Sequence, residues 1–217
     1  MRVQAAAPVL ILEKNFMKST VTRPAIVLAL ALGLAACGGK ASFTVGGTVS
    51  GLSYPGLVLN NKGTDLPIAV GATSFSFPNT ISYGETFDVS VKINPLHQTC
   101  APQGASNGHA IDTAGRLAVI NVPITCGLNS FTIGGNISGA TADGLVLTNG
   151  SAGGTVTLGT GVTIFTFPAV PYGVSYGVTV LTQPTSGTVT CSVGPNGTGV
   201  MGDAAVADIA VTCVPKT

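Results

Sequence analysis

Five cysteines and two histidines are the side chains of this 217-residue chain with the widest chemical repertoire. Nucleophilic catalysis needs a serine or cysteine beside a base. The two candidate bases, His97 in NPLHQTC and His109 in GASNGHAID, share one loop-rich stretch. Residues 101–116 form the one long segment that holds His, Asp and Arg together, so an enzymatic site would belong there, with His109. The rest of the chain does not support one. The pattern G-x-S-x-G occurs at Gly104-Ala105-Ser106-Asn107-Gly108, but among turn residues and with no helical pattern after it, whereas a serine nucleophile of that kind needs a strand-to-helix turn. The carboxylates are scattered among turns, Asp143-Gly144 and Gly202-Asp203 among them, and do not form the positioned pair of glycosidase chemistry. Gly159-Thr160-Gly161 precedes no helix and reads as a hairpin turn, not a phosphate loop. No CxxC pair, EF-hand loop or G-G-x-G-x-D repeat marks a metal. The expectation is a chain without catalytic residues, metal or cofactor, in which His97 and His109 are exposed loop residues.

Composition points the same way. Glycine (30) and proline (13) are abundant, tryptophan is absent and charged residues make up 8% of the chain, which describes a β-rich, turn-rich protein. Net charge is +1, but the positive excess lies before Cys37. From Cys37 onward Lys40, Lys62, Lys92, Arg116 and Lys216 face Asp65, Glu85, Asp88, Asp112, Asp143, Asp203 and Asp208. Nothing here suits a nucleic acid partner.

The segment before Cys37 reads as an export signal. MKSTVTRPAIVLALALGLAAC opens at Met17 with Lys18 and Arg23, followed by an apolar run from Ala25 to Ala36. That run falls well short of the roughly 20 residues a membrane span needs. Residues 1–16 fit no standard n-region, and the reading places the functional start at Met17. Leu34-Ala35-Ala36-Cys37 resembles the lipobox of bacterial lipoproteins. The resemblance implies cleavage before Cys37, a diacylglycerol on its thiol and acylation, commonly palmitate, of the new amino group. Two or three acyl chains anchor a protein essentially permanently, whereas one holds marginally. Gly38 stands where the family's inner-membrane retention signal places Asp, which favours the outer membrane if the cell is Gram-negative. Residues 37–42 would then be a lipidated tether after a leader of residues 1–36.

Beyond the tether, the chain is one unit written twice. FTVGGTVSGLSYPGLVLNN from Phe43 aligns without a gap to FTIGGNISGATADGLVLTN from Phe131. SFSFPNTISYGETFDVSV matches IFTFPAVPYGVSYGVTV, and NVPITC ending at Cys126 matches DIAVTC ending at Cys213. The repeats span residues 43–126 and 131–217, with residues 127–130 as a short linker. Neither histidine has a counterpart in the second repeat, and Tyr54 has a non-aromatic one.

Setting Cys37 aside leaves one cysteine pair per repeat, Cys100 with Cys126 and Cys191 with Cys213. Export past the inner membrane favours oxidation of both pairs, and loops of this length predict about 3–4 kcal/mol per bridge. The competing zinc reading lacks ligand spacing and histidines.

Strands are expected from period-two alternation. Phe43, Val45, Gly47 and Val49 share one face, as do Phe131, Ile133, Gly135 and Ile137. Phe87, Val89, Val91 and Ile93 continue the pattern, with Tyr176, Val178 and Val180 in the second repeat. In the last strands Ile120, Val122, Ile124 and Cys126 match Ala207, Ile209, Val211 and Cys213, and Pro123 on the opposite face suits an edge. Asp88 is expected on the solvated face.

Six or seven short strands per repeat describe a small antiparallel sandwich. The order G-x-V-x-G, G-L-V-L, F-x-F-P, Y-G-x-x-[FY]-x-V-x-V resembles the transthyretin-like, carboxypeptidase-regulatory and collagen-adhesin B-type repeats of bacterial surface proteins. The resemblance implies an all-β fold of two tandem immunoglobulin-like (transthyretin-like) β-sandwiches, used as a stalk, spacer or binding module. The lysine to asparagine crosslink of some adhesin repeats is not expected, because the repeats share no strand lysine. A lipid-anchored, non-enzymatic spacer or adhesion module is therefore the leading expectation. Its partners would be the membrane through Cys37 and a glycan or surface protein. The other reading is a periplasm-facing accessory lipoprotein that binds a protein in an envelope assembly.

Overall fold

The computed structural model describes residues 41–117, 119–139, 143–150 and 153–217. The leader and Cys37 lie outside the described residues. What is described is all-β: the one helical element among the described residues is a single 3-10 turn, Pro195–Gly197.

The first repeat contributes β1 (Ser42–Ser50), β2 (Val58–Asn61), β3 (Thr64–Pro67), β4 (Ser74–Ser82), β5 (Thr86–Ile93), β6 (Gln98–Pro102), β7 (His109–Thr113), β8 (Ile120–Asn121) and β9 (Ile124–Leu128). The second contributes β10 (Ser130–Gly139), β11 (Leu145–Asn149), β12 (Thr155–Leu158), β13 (Ile164–Pro171), β14 (Ser175–Thr182), β15 (Val189–Val193), β16 (Thr198–Val200) and β17 (Val206–Pro215). Each repeat folds into two facing sheets with one pattern of neighbours. In the first these are β4-β1-β9-β6 and β3-β2-β5-β7, with β8 also on β1. In the second they are β13-β10-β17-β15 and β12-β11-β14-β16. The opening strand runs antiparallel to its hairpin-side neighbour and parallel to the closing strand.

Each sandwich has its own core. Val45, Leu57, Leu59, Phe77, Val89 and Ile124 are buried in the first, and Ile133, Leu145, Leu147, Phe167, Ile209 and Val211 in the second. The F-x-F spacing puts two rings on one face of a strand. Phe75 and Phe77, like Phe165 and Phe167, meet edge to face with centroids 5.9 Å apart, the geometry aromatic quadrupoles favour.

The shared G-G-x-[VI]-x-G motif has a steric origin. A Cβ on Gly47 would lie 1.9 Å from the carbonyl oxygen of Val122, and one on Gly135 would lie 1.8 Å from that of Ile209. The opening strand thus approaches the closing strand closer than any side chain permits.

Five expectations about strands and turns are corrected. There are more strands than six or seven, because each repeat adds a short second hairpin (β2–β3, β11–β12) and the first repeat's closing strand is interrupted at Val122-Pro123. Pro123 follows the last β6 pair, Pro102 with Ile124, and its carbonyl accepts from Gln103 N at 2.8 Å, so it sits where the ladder has ended inside a central strand. Ile93 is 52% exposed: the register slips between Val58–Ile93 and Leu59–Val91, and this bulge turns Ile93 outward. Ala207 is likewise exposed, because a slip in the β10–β17 pair hands the inward position to Val206. Finally, Gly159–Gly161 carries the chain from β12 to β13, which belong to different sheets, and so does not close a hairpin.

Candidate functional site

The two cysteine pairs are disulfide-bonded, Cys100 to Cys126 and Cys191 to Cys213. Both are cross-strand bonds within one sheet, between directly opposite residues of β6 and β9 and of β15 and β17. Their Cα atoms lie 4.0 and 3.9 Å apart. A backbone N–H left unpaired at such a site would carry a desolvation cost. It is met the same way twice: Cys100 N donates to Asn94 Oδ1 and Cys191 N to Gln183 Oε1, each at 2.8 Å. Asn94-Pro95 and Gln183-Pro184 occupy matching places, a device not read from the sequence. A second matched device joins the two central strands of the other sheet in each repeat. Asn61 Oδ1 accepts from Asp88 N at 3.0 Å, and the fully buried Asn149 accepts from Gly177 N at 2.9 Å.

The first sandwich also builds something the second does not. Gln98, nearly fully buried, accepts through Oε1 from Ser53 N and Tyr54 N at 2.8 and 3.0 Å, and its Nε2 donates to Gly51 O. This fixes the turn that carries Tyr54. The neighbouring His97 adopts a left-handed φ of 60°. Asn129, the one residue between β9 and β10, continues the scaffold. Its N–H donates to His97 O at 2.9 Å, its carbonyl accepts from Tyr172 N at 2.8 Å, and its Oδ1 accepts from Thr99 Oγ1 at 2.8 Å.

On this scaffold four side chains from the two repeats meet. The His97 ring stacks on Tyr172, centroids 3.8 Å apart and planes within 6°. Tyr54 stands edge-on to both, at 5.0 Å from His97 and 5.8 Å from Tyr172. His97 Nδ1 donates to Asp203 Oδ2 at 2.7 Å. His97 is therefore not an exposed loop residue, its side chain being only 22% exposed. It is the centre of a joint between the sandwiches. Beside Asp203 lies an open depression of about 790 Å³, lined by Tyr176, Asn196, Thr198 and Asp208 among others.

His109 is elsewhere and does something different. It opens β7, pairs in register with Ser90 and places Nδ1 2.7 Å from Asp88 Oδ1 on the outer face of the second sheet. Asp88 is thus engaged, not merely solvated. Ser106 is tied to His109 through the backbone alone, by Ser106 N to His109 O at 3.1 Å and His109 N to Ser106 O at 3.0 Å, and among the described residues no serine or cysteine side chain hydrogen-bonds the His109 ring. Within the 101–116 segment Asp112 pairs with Arg116 at 3.2 Å. No three His, Cys, Asp or Glu side chains among the described residues lie close enough together to hold a metal. On the same outer face the Lys92 ammonium and the Asn60 amide hydrogen-bond Asp65 and hold its carboxyl below the ordinary carboxylate range.

No family model matches the chain, and no curated protein is significantly similar to it. Among solved structures the chain is similar to the major pilin protein T3.2 of Streptococcus pyogenes, at 13% identity over 80% of this chain and 97% of that chain, with a TM-score of 0.29. It is also similar to the T-13 major pilin of that organism, at 12% identity over 82% and 98%, with a TM-score of 0.25. Similarity at this level leaves function to be argued from the chain's own residues.

Proposed function

We propose that this chain is a non-enzymatic, lipid-anchored protein of the bacterial cell envelope, in which two β-sandwiches joined end to end act as a spacer or adhesion module. The observation that carries the reading is the joint. His97, Tyr54, Tyr172 and Asp203 spend the chain's most reactive and most aromatic side chains on holding one sandwich against the next, as a spacer requires. The lipobox resemblance at Leu34-Ala35-Ala36-Cys37 supplies the anchor, and no helix among the described residues is long and apolar enough to cross a membrane. The disulfides suit an oxidising compartment outside the inner membrane. The outer surface of hydroxyl and amide side chains suits a non-sticky exterior and offers hydrogen bonds to a glycan or a surface protein.

Protease shaving of intact cells tests the orientation. Cleavage of the chain on intact cells is expected for a surface spacer; protection until the outer membrane is opened would favour the periplasmic accessory role instead. A hydrolytic activity of the purified protein that His109→Ala abolishes would overturn the non-enzymatic reading.

A further inference from the structure

The two sandwiches enter their folds through equivalent residues, and comparing the two entrances shows a surface with a job. In the second sandwich Asn129 O accepts from Tyr172 N at 2.8 Å, and Gly173 N donates to Met201 O at 2.9 Å. In the first, Ala41 O accepts from Tyr83 N at 3.0 Å, and Gly84 N donates to Ala114 O at 2.9 Å. Tyr83 thus corresponds to Tyr172, and Arg116, two residues past Ala114, corresponds to Asp203. At the second entrance this tyrosine and carboxylate grip His97 of the sandwich below. At the first entrance the tyrosine recurs with an arginine in place of the carboxylate, and among the described residues no second sandwich grips them. Tyr83 is 70% exposed and the Arg116 side chain 75%, and Leu117 and Val119 beside them are 68% and 71% exposed.

We propose that this end of the first sandwich, carrying Tyr83, Arg116, Leu117 and Val119, is a membrane-interface surface that rests in the headgroup region of the bilayer holding Cys37. The inference rests on the lipid-anchor reading above. Only three residues, Gly38, Gly39 and Lys40, separate Cys37 from Ala41, four residue steps and a reach of about 14 Å when fully extended, so a lipid on Cys37 would hold this face close to the membrane. Its chemistry fits. Tyrosine favours the boundary where one end of the ring is apolar and the other wet, Leu117 and Val119 supply shallow apolar insertion, and Arg116 presents a guanidinium to headgroup phosphates. The other charges at this end among the described residues are Asp112, whose exposed pair with Arg116 is weak, Glu85, whose carboxylate accepts from Ser82 N in the turn, and Lys62, whose ammonium donates to Thr86 O at 3.0 Å. A second copy docked head to tail fits less well, because Ala142 and Ser186 stand in the second repeat where Tyr54 and His97 build the gripping end of the first.

The chain has no tryptophan, so a single introduced indole reports its own depth. Full-length lipidated protein carrying Leu117→Trp, Val119→Trp or Ile164→Trp is reconstituted into phosphatidylcholine–phosphatidylglycerol vesicles with or without bromine on the lipid chains near the headgroup. The proposal expects the protein to float with the vesicles and the Leu117→Trp and Val119→Trp emission to fall about twofold with brominated lipid, with Ile164→Trp unchanged. Flotation without quenching at 117 and 119 would overturn the proposal and leave the anchor standing, as would a cross-link between copies at this face. Equal quenching at Ile164→Trp would overturn it too, since the chain would then lie flat. Failure to float would remove the anchor and the proposal together.

Discussion

The imidazole of His97 lies flat against the phenol of Tyr172, 3.8 Å between centroids, across the boundary between the two repeats. Stacking is one part of a four-residue joint in which Tyr54 closes the side and Asp203 accepts from His97 Nδ1. Tyr172→Ala removes two of the three ring contacts and should weaken the joint by about 1 kcal/mol. NMR relaxation on the chain from Cys37 onward should show a common rotational correlation time for both sandwiches in the parent, and shorter, separate ones in the variant. Identical times in both proteins would show that the stack does not hold the sandwiches together.

Close approach, not flexibility, explains the paired glycines. Gly47→Ala or Gly135→Ala drives a Cβ into a carbonyl oxygen less than 2 Å away, and the backbone must move to accept it. Each should cost about 3 kcal/mol or more in urea unfolding. Gly127→Ala, whose Cβ would meet nothing within 4 Å, should stay within about 0.5 kcal/mol of the parent.

Each disulfide closes a loop of similar size, with sequence separations of 26 and 22. Replacing either pair by alanines should therefore lower the stability of its own sandwich by about 3.5 kcal/mol in the chain-entropy account. Urea titrations followed by probes in each repeat should move one transition and leave the other nearly in place.

The Lys92–Asp65–Asn60 cluster gives a signed pH effect. Its hydrogen bonds lower the folded-state pKa of Asp65, so the stability it contributes is present above the unfolded carboxylate pKa and is lost as pH falls through the folded one. NMR titration should find Asp65 below the ordinary carboxylate range in the parent, and Lys92→Met should raise it. An Asp65 titration that Lys92→Met leaves unmoved would contradict the assignment of cause.

Sandwich architecture and the cysteine pairs were legible because they rest on local patterns stated twice: alternation, F-x-F-P and one cysteine pair per repeat. The misses have physical causes. Ile93 and Ala207 changed faces through bulges, and a one-residue slip leaves no mark in a period-two pattern. The joint was hidden because its four members are far apart in sequence and belong to different repeats. One signal for it was present: Tyr54 and His97 have no aromatic counterparts at Ala142 and Ser186. Where a repeat departs from its twin, it is meeting something its twin does not. Arg116 in place of Asp203 is the same kind of departure.

The most direct test of a lipid-anchored, doubly bridged envelope protein is the intact mass of the chain extracted from membranes, before and after reduction. The account predicts a polypeptide beginning at Cys37 with added diacylglycerol and fatty-acyl mass, gaining four hydrogens on reduction of its two bridges. An unmodified chain with its N-terminus elsewhere, or one whose mass reduction leaves unchanged, would contradict it.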